Sequence, residues 1–238
     1  MAATALVCAF AASAQYAPTK EGMVLDYKST VKDVEKPVES TDSVKSVTTA
    51  DGVTTVSIKS CLHSDNPLAD DMVIYTSYKY TTPDAPTTVV MMSAEEFKKF
   101  ILNITKMALE EAGQYSESLF KEATDAMKAK GELSLELNPK GAVSDKIANS
   151  RLRLDMGMQA ATMFVSNGAI AGYEDVTVTA GTFANCIKVT YESRENSAQG
   201  NQKHYVTAWY APETGLVKEV KTDKKGNVLE EQELVSIK

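Results

Sequence analysis

Histidine is the first side chain to consider for acid–base or metal chemistry, because it titrates near neutral pH. The chain has two histidines, His63 and His204. His63 lies two residues after Cys61, whereas catalytic cysteine–histidine partners usually come from distant segments. His204 falls within a strand pattern, where a surface position is expected. The sequence also lacks the G-x-S-x-G, H-E-x-x-H, Walker and G-x-G-x-x-G patterns. We therefore predict no catalytic residue and no enzymatic activity.

Acidic side chains cluster in the segment 65–71, where Asp65, Asp70 and Asp71 accompany Asn66. Carboxylate and amide oxygens are the ligands that calcium prefers. The spacing of these residues matches no calcium-binding loop, and acid-rich turns are usually solvated. The sequence therefore predicts neither a metal site nor a cofactor.

Aromatic side chains offer a different chemistry, the burial of an apolar ligand. Tyr205, Thr207 and Trp209 alternate along one strand and so share one face. Phe183 belongs to an aromatic-rich pattern two strands earlier. Adaptable apolar bulk is added by Met72, Met91, Met92, Met156, Met158 and Met163. We predict Phe183, Tyr205 and Trp209 as ligand-lining residues. The alternative is an ordinary core between sheet and helix, since any core needs such residues.

The N-terminus has the pattern of an export signal. Residues 2–12 are almost all small or apolar, and Ala12-Ser13-Ala14 fits the small-x-small rule for signal peptidase. The apolar run is too short to span a membrane. We predict a signal peptide over residues 1–14 and a single β-rich domain over residues 15–238. The mature protein is then expected to be soluble in the periplasm or outside the cell, with a buried N-terminal helix as the alternative.

Export leaves two cysteines in the mature chain, Cys61 and Cys186. An oxidising compartment permits a disulfide. Both residues fall on the polar phase of their strand patterns, and sequence alone does not show whether they approach within bonding distance. A disulfide and two free thiols both stay open.

The net charge of the chain indicates which classes of partner it can bind. Lys and Arg total 25 against 32 Asp and Glu, a formal net charge of −7. Nucleic acids and anionic membrane surfaces require clustered basic residues. We therefore predict no nucleic-acid partner.

Most of the chain has the period of β-strands. The clearest hairpin pairs Ser43–Ala50 with Val53–Leu62 around Asp51-Gly52, a sequence typical of the type I′ turn. Further turns are expected at Asn167-Gly168 and Lys225-Gly226-Asn227, and a polar loop at Arg194–Gln202.

The period changes to helical after Ser93, which with Glu96 forms a capping-box pattern. Apolar residues then recur at helical spacing, and Gly131 is the expected C-terminal stop. The apolar face is expected to pack on the sheet. It comprises Phe97, Phe100, Ile101, Ile104, Met107 and Ala108, and continues with Leu119, Phe120, Ala123 and Met127.

These patterns predict a mainly β (α+β) fold. We expect a single curved antiparallel sheet or half-barrel, with one or two helices inserted near residues 94–130. The helical segment would cover the concave face, and curling of the sheet would limit its exposed edges.

Two segments of the C-terminal half carry a family resemblance. Gly172–Val189 resembles the E-x-V-T-V-x-A-G-T-F-x-x-C segment of exported bacterial envelope proteins called TapB-like, and Trp209–Lys218 resembles their W-Y-A-P-x-x-G-L-V-K segment. That family carries a domain of unknown function. The resemblance covers residues 130–238 and implies a curved sheet similar to the half-barrels of periplasmic lipoprotein carriers.

Two functional hypotheses follow. In the first, the chain is an exported, non-enzymatic envelope protein that holds an apolar, lipid-like or amphipathic ligand on the concave face of the sheet. In the second, it is a structural or interaction component of the cell envelope, whose partner is another envelope protein and which binds no small ligand.

Overall fold

A computed structural model of the chain describes residues 15–63, 73–157, 159–197 and 200–238. The predicted signal peptide and the acidic segment 65–71 lie outside these ranges. Two helices interrupt thirteen strands, and all the strand pairings are antiparallel. The strands are Val24–Val31 (β1), Val38–Ala50 (β2), Val53–His63 (β3), Val73–Tyr80 (β4), Thr87–Ser93 (β5), Lys128–Leu137 (β6), Lys146–Ile147 (β7), Ser150–Asp155 (β8), Ala160–Val178 (β9), Gly181–Ser197 (β10), Gly200–Ala211 (β11), Gly215–Thr222 (β12) and Val228–Ile237 (β13). The helices are Ala94–Glu111 (α1) and Glu117–Ala126 (α2).

The sheet is closed, so the expectation of an open curved sheet or half-barrel was wrong. Neighbouring strands follow the order β10-β11-β12-β13-β1-β2-β3-β4-β5-β6-β8-β9, and β9 pairs again with β10. Twelve strands therefore form a closed antiparallel barrel, with the short β7 joined to β9. Closure satisfies the backbone groups that an open sheet would leave at its two edges.

The pairing that closes the barrel depends on one very long strand. A turn was predicted at Asn167-Gly168, but these residues lie inside β9, which continues through them. Asn167 adopts a φ of 55°, and the register with β10 shifts beside it, as in a β-bulge. A Cβ on Gly168 would lie 2.8 Å from the Cβ of Ile147, so the glycine lets β7 approach. The turn signal thus marks a bend within a strand.

Local turn chemistry agrees with the sequence elsewhere. Asp51 and Gly52 both have positive φ, at 51° and 77°, which confirms the type I′ turn between β2 and β3. By contrast, the prediction of a polar loop at Arg194–Gln202 was wrong for most of its length, because β10 runs to Ser197 and β11 begins at Gly200.

Helix α1 begins where the sequence predicted. Ser93 is its N-cap, and the Ser93 Oγ accepts a hydrogen bond of 3.2 Å from the Glu96 backbone N–H. The predicted stop at Gly131 was wrong, because α2 ends at Ala126 and Gly131 lies within β6. Its φ of 87° and its close approach to the Arg151 carbonyl explain the glycine there.

The helices do not form the expected continuous cover. Phe97 is the buried side chain of α1. Phe100 and Ile101 pack beside it on a cluster that includes Leu152 and Leu154 of β8. Farther along, Ile104 remains half-buried. The described side chains of α2 are all exposed or half-buried. Among the described residues, the first turns of α1 and the C-cap of α2, Met127, therefore pack closely on the barrel.

The first described residues belong to the core. Tyr16 is 2% exposed and Ala17 is fully buried, within the main hydrophobic cluster. The Tyr16 hydroxyl donates to the Asn185 carbonyl, and the Glu213 backbone N–H donates to the Gln15 carbonyl at 2.8 Å.

Candidate functional site

The inner wall of the barrel is apolar on one side. Alternate residues of a barrel strand face inward. On β5, β6, β9, β10 and β11 the buried inward-facing residues are mainly aliphatic or aromatic. They include Val89, Leu135, Val165, Val189, Val206 and Tyr210, all within one hydrophobic cluster.

Part of the inner wall is polar, beside the buried Val44 and Ile58 of β2 and β3. On β2 and β3, Asp42 pairs in register with Ser60, and on β12 and β13, Glu219 pairs with Gln232 and Lys221 with Glu230. Burying polar groups costs free energy unless each has a partner. A barrel whose inner wall combines apolar and polar parts suits an amphipathic content.

A cavity of about 330 Å³ lies against this polar wall. It is lined by Tyr27, Ser40, Asp42, Ser60, Cys61, Leu62, Ile74, Phe100, Leu216 and Gln232. Phe100 comes from the second turn of α1, so the packed start of that helix forms one side of the cavity. The lining combines aliphatic and aromatic surface with a carboxylate, hydroxyls and an amide, as small-molecule sites do.

Among the described residues that line the cavity, Asp42 alone is formally charged. Burial raises the pKa of Asp42 to about 6, although a hydrogen bond with Ser60 opposes the increase. Among the described residues, no Lys or Arg forms an ion pair with Asp42. The cavity therefore contains an inward-facing carboxylate without a cation.

A second polar group, farther along the wall, is satisfied internally. The Lys221 Nζ lies 2.9 Å from the Glu230 carboxylate and 3.5 Å from that of Glu219. Although burial disfavours the ammonium, the two carboxylates raise the pKa of Lys221 above its usual value. The Tyr191 hydroxyl donates to Glu219 at 3.2 Å, which connects this network to the apolar side of the barrel.

The three residues predicted to line a ligand lie elsewhere. Tyr205 and Trp209 are half-buried on the face of β11 opposite to Val206 and Tyr210, which are buried in the main cluster. Phe183 and Trp209 pack against a common hydrophobic cluster around Leu234. The structure thus brings Phe183 and Trp209 together and leaves Tyr205 apart, and none of the three lines the cavity.

Charged groups surround Trp209. Its indole Nε1 donates to the Glu174 carboxylate at 2.6 Å, and the Nζ atoms of Lys188 and Lys218 lie 5.1 and 5.9 Å from the ring centroid. The Trp209 hydrogen bond, followed by that of Lys188, holds the pKa of Glu174 below its usual range.

The two cysteines are free thiols. Cys186 is fully buried, against the expectation of a polar position, and its thiol donates to the Phe183 carbonyl. Burial raises the pKa of the Cys186 thiol to about 11, which makes it a weak nucleophile at neutral pH. Cys61 is half-buried and lines the cavity.

Sequence reasoning missed the cavity residues, although a signal was present. Glu39–Ser43 and Glu230–Glu233 are runs of consecutive polar residues within strands. Successive residues of a strand face opposite sides, so such a run puts polar side chains inside a closed barrel. The signal becomes readable only once the sheet is known to close.

Neither of the two described helices has the length and apolarity needed to cross a membrane. Within the described ranges, no group of three or more His, Cys, Asp and Glu side chains is placed to hold a metal ion.

Solved structures share this fold. An inferred exported protein with a YmcC-like fold from Bacteroides fragilis matches with a TM-score of 0.66 at 16% identity. An inferred lipoprotein from Parabacteroides distasonis matches with a TM-score of 0.65 at 18% identity. Each match covers 94% of this chain and 99% of the other chain. At these identities the likeness concerns the fold alone.

Sequence comparison assigns a family but no activity. No curated protein matches the chain. The DUF3108-like family model matches residues 20–234, which include all the barrel strands except the last three residues of β13. The chain therefore belongs to the DUF3108-like family, whose function is unknown.

Proposed function

We propose that the chain is an exported, non-enzymatic binding protein that holds a small amphipathic ligand inside its barrel. The observation that carries this proposal is the cavity of about 330 Å³ between the polar inner wall and α1. Small-molecule sites typically begin at about 300 Å³ and combine apolar surface with a few polar groups. Leu62, Ile74 and Phe100 supply the apolar surface, and Asp42 and Gln232 supply polar groups.

Export is part of the proposal. It is supported by the signal-like residues 2–14 and by two structural neighbours whose names describe an inferred exported protein and an inferred lipoprotein. The narrower TapB-like resemblance, carried by residues 172–189 and 209–218, points to the same envelope setting.

The arrangement of the cavity favours binding over catalysis. Nucleophilic catalysis needs a base within hydrogen-bonding reach of the nucleophile. Neither His63 nor His204 lines the cavity, and the His63 Nε2 lies 2.8 Å from the Thr41 hydroxyl. The side-chain hydrogen bond of Asp42 is made with Ser60. The Ser60 hydroxyl is not a base that could deprotonate the Cys61 thiol.

Native mass spectrometry of the protein purified from its own cell envelope tests the proposal. We expect an additional mass that is lost on denaturation. Leu62→Trp should abolish the additional mass, because Leu62 lines the cavity and is 36% exposed, so that the larger ring can enter the cavity.

The matched control is Tyr75→Trp, which adds bulk at a side chain that is 45% exposed and does not line the cavity. This control should retain the additional mass. A bare mass for the wild-type protein, or an additional mass that survives Leu62→Trp, would contradict binding in the cavity.

A second candidate function, contact with another envelope protein, is favoured by the helical segment. Ile104 and Met107 lie on one face of α1, are half-buried, and are not among the described residues that pack on the barrel core clusters. An apolar helix face of this kind is a common docking element. An empty cavity, together with a complex that is lost on Met107→Glu, would favour this function.

A further inference from the structure

The charged residue of the cavity lining, Asp42, indicates which class of ligand the cavity can bind. The Asp42 side chain shares the cavity with the Ser40 and Ser60 hydroxyls and the Gln232 amide. These groups together offer several oxygen acceptors, and a carboxylate accepts hydrogen bonds without donating any. Such a set is complementary to a group that carries several N–H donors.

No side chain of the described protein supplies that group. Lys221, which lies on the same inner wall, is held by Glu219 and Glu230. The nine residues 64–72, which join β3 to β4, include no Lys or Arg in the sequence. A carboxylate that is largely removed from water and has no cation raises the free energy of the folded protein, unless a bound cation neutralises its charge.

We propose that the cavity takes a primary alkylammonium ligand, whose ammonium group pairs with Asp42 and whose alkyl chain packs against Ile74 and Phe100. This inference rests on the proposed function and names the ligand class of the same site. The ammonium group brings three N–H donors to the acceptors around Asp42. The alkyl chain meets the apolar part of the lining, between β4 and α1.

Asp42 is also the group expected to give this binding a pH dependence. Burial raises the pKa of Asp42 to about 6. Among the described residues, the titratable groups that face it are Tyr27 from β1 and Tyr78 from β4, and burial raises the pKa of both tyrosines, which stay neutral at pH 8. Strands β12 and β13 contribute Glu219, Lys221 and Glu230, which lie farther along the wall. Strand β3 contributes the Cys61 thiol, and α1 contributes Phe100, which is uncharged.

Calorimetric titration with octylamine, octan-1-ol and octanoate tests the inference on the mature chain. The three probes share one alkyl chain and differ in the head group. At pH 8 we expect octylamine to bind at least about tenfold more tightly than octan-1-ol, and octanoate to bind most weakly. At pH 5 the affinity for octylamine should fall about tenfold, because a carboxyl with a pKa of about 6 is then about nine-tenths protonated.

Asp42→Asn should remove the preference for octylamine and keep the binding of octan-1-ol, which also shows that the variant is folded. The matched control is Glu136→Gln, which removes a negative charge at an exposed position of β6 and should keep the preference. Binding of octan-1-ol without any preference for octylamine, or tighter binding of octanoate, would overturn the inference alone. Failure of all three probes to bind the wild-type protein would overturn the proposed function with it.

Discussion

At the scale of single residues, Asp42 is expected to weaken the fold at neutral pH. Burial raises its pKa from 3.8 to about 6 in the folded state. Between about pH 4 and pH 6 the unfolded chain ionises this carboxyl while the folded chain keeps it protonated, so the free energy of unfolding falls as the pH rises. Above pH 6 the loss is complete, on the order of 3 kcal/mol.

Asp42→Asn should remove this loss. We expect the variant to be more stable than the wild-type protein at pH 8, by up to about 3 kcal/mol, and equally stable near pH 4. Urea denaturation at the two pH values measures the difference. A variant that is less stable at pH 8 would mean that the Asp42 carboxylate already has a stabilising partner.

Lys221 is expected to raise the free energy of unfolding, whereas Asp42 lowers it, because the Lys221 ammonium neutralises two carboxylates. In Lys221→Met, Glu219 and Glu230 lose their shared cation, and we expect a loss of about 2 kcal/mol at pH 8. The control is Lys99→Met, whose ion pairs lie on the exposed face of α1 and should contribute nothing measurable. Equal stability of the two variants would show that the Lys221 network is solvated.

The roles of single residues were harder to predict from the sequence than the secondary-structure elements or the fold. The face shared by Tyr205 and Trp209 was derived correctly from strand alternation, but the sequence does not say which face is inside. Asp42 stands in a run of polar residues with no apolar alternation to assign its side. Its character comes from burial by β1, β3, β4 and α1, which surround it only in the folded barrel.

At the scale of elements, hydrogen-bonded local motifs were predictable and glycine positions were ambiguous. The Asp51-Gly52 turn and the Ser93 cap depend on neighbouring residues only. Gly131 and Gly168 have the same local signature as a helix stop or a turn. Their actual role is to admit a neighbouring strand, which no local pattern encodes.

Gly131→Ala is therefore expected to be unusually costly. The new Cβ would lie 2.1 Å from the Arg151 carbonyl oxygen at a φ of 87°, so that β6 and β8 must separate. We expect a loss of about 3 kcal/mol or more in urea denaturation. Gly226→Ala is the control, since its φ of 84° is similar and no atom lies within 4 Å, and it should cost about 1 kcal/mol. Similar losses for the two variants would show that β6 adapts freely.

At the scale of the whole molecule, the antiparallel arrangement of the strands could be predicted, whereas closure could not. Closure depends on the pairing of β9 with β10 along almost all of β9, and the expected turn at Asn167-Gly168 divided β9 into two shorter strands. Two short strands suggest an open sheet, while one bent strand of 19 residues can reach around to complete a barrel.

The residues that follow the predicted cleavage site should contribute to the stability of the whole barrel. Tyr16→Ala removes a side chain that is 2% exposed in the main cluster, and we expect a loss of about 3 kcal/mol in urea denaturation. Tyr75→Ala, at a side chain that is 45% exposed, is the matched control and should cost much less. Equal losses of stability in the two variants would show that residues 15–18 do not contribute to the stability of the barrel.

The central claim is that the ligand occupies the inside of the barrel. The most direct measurement is the set of intermolecular NOEs between octan-1-ol and the methyl-labelled mature protein with labelled aromatic rings. We predict NOEs to the Leu62 and Ile74 methyl groups and to the Phe100 ring, which line the cavity. NOEs confined to Phe183, Tyr205 and Trp209 on the other side of the wall, or no NOEs at all, would contradict the claim.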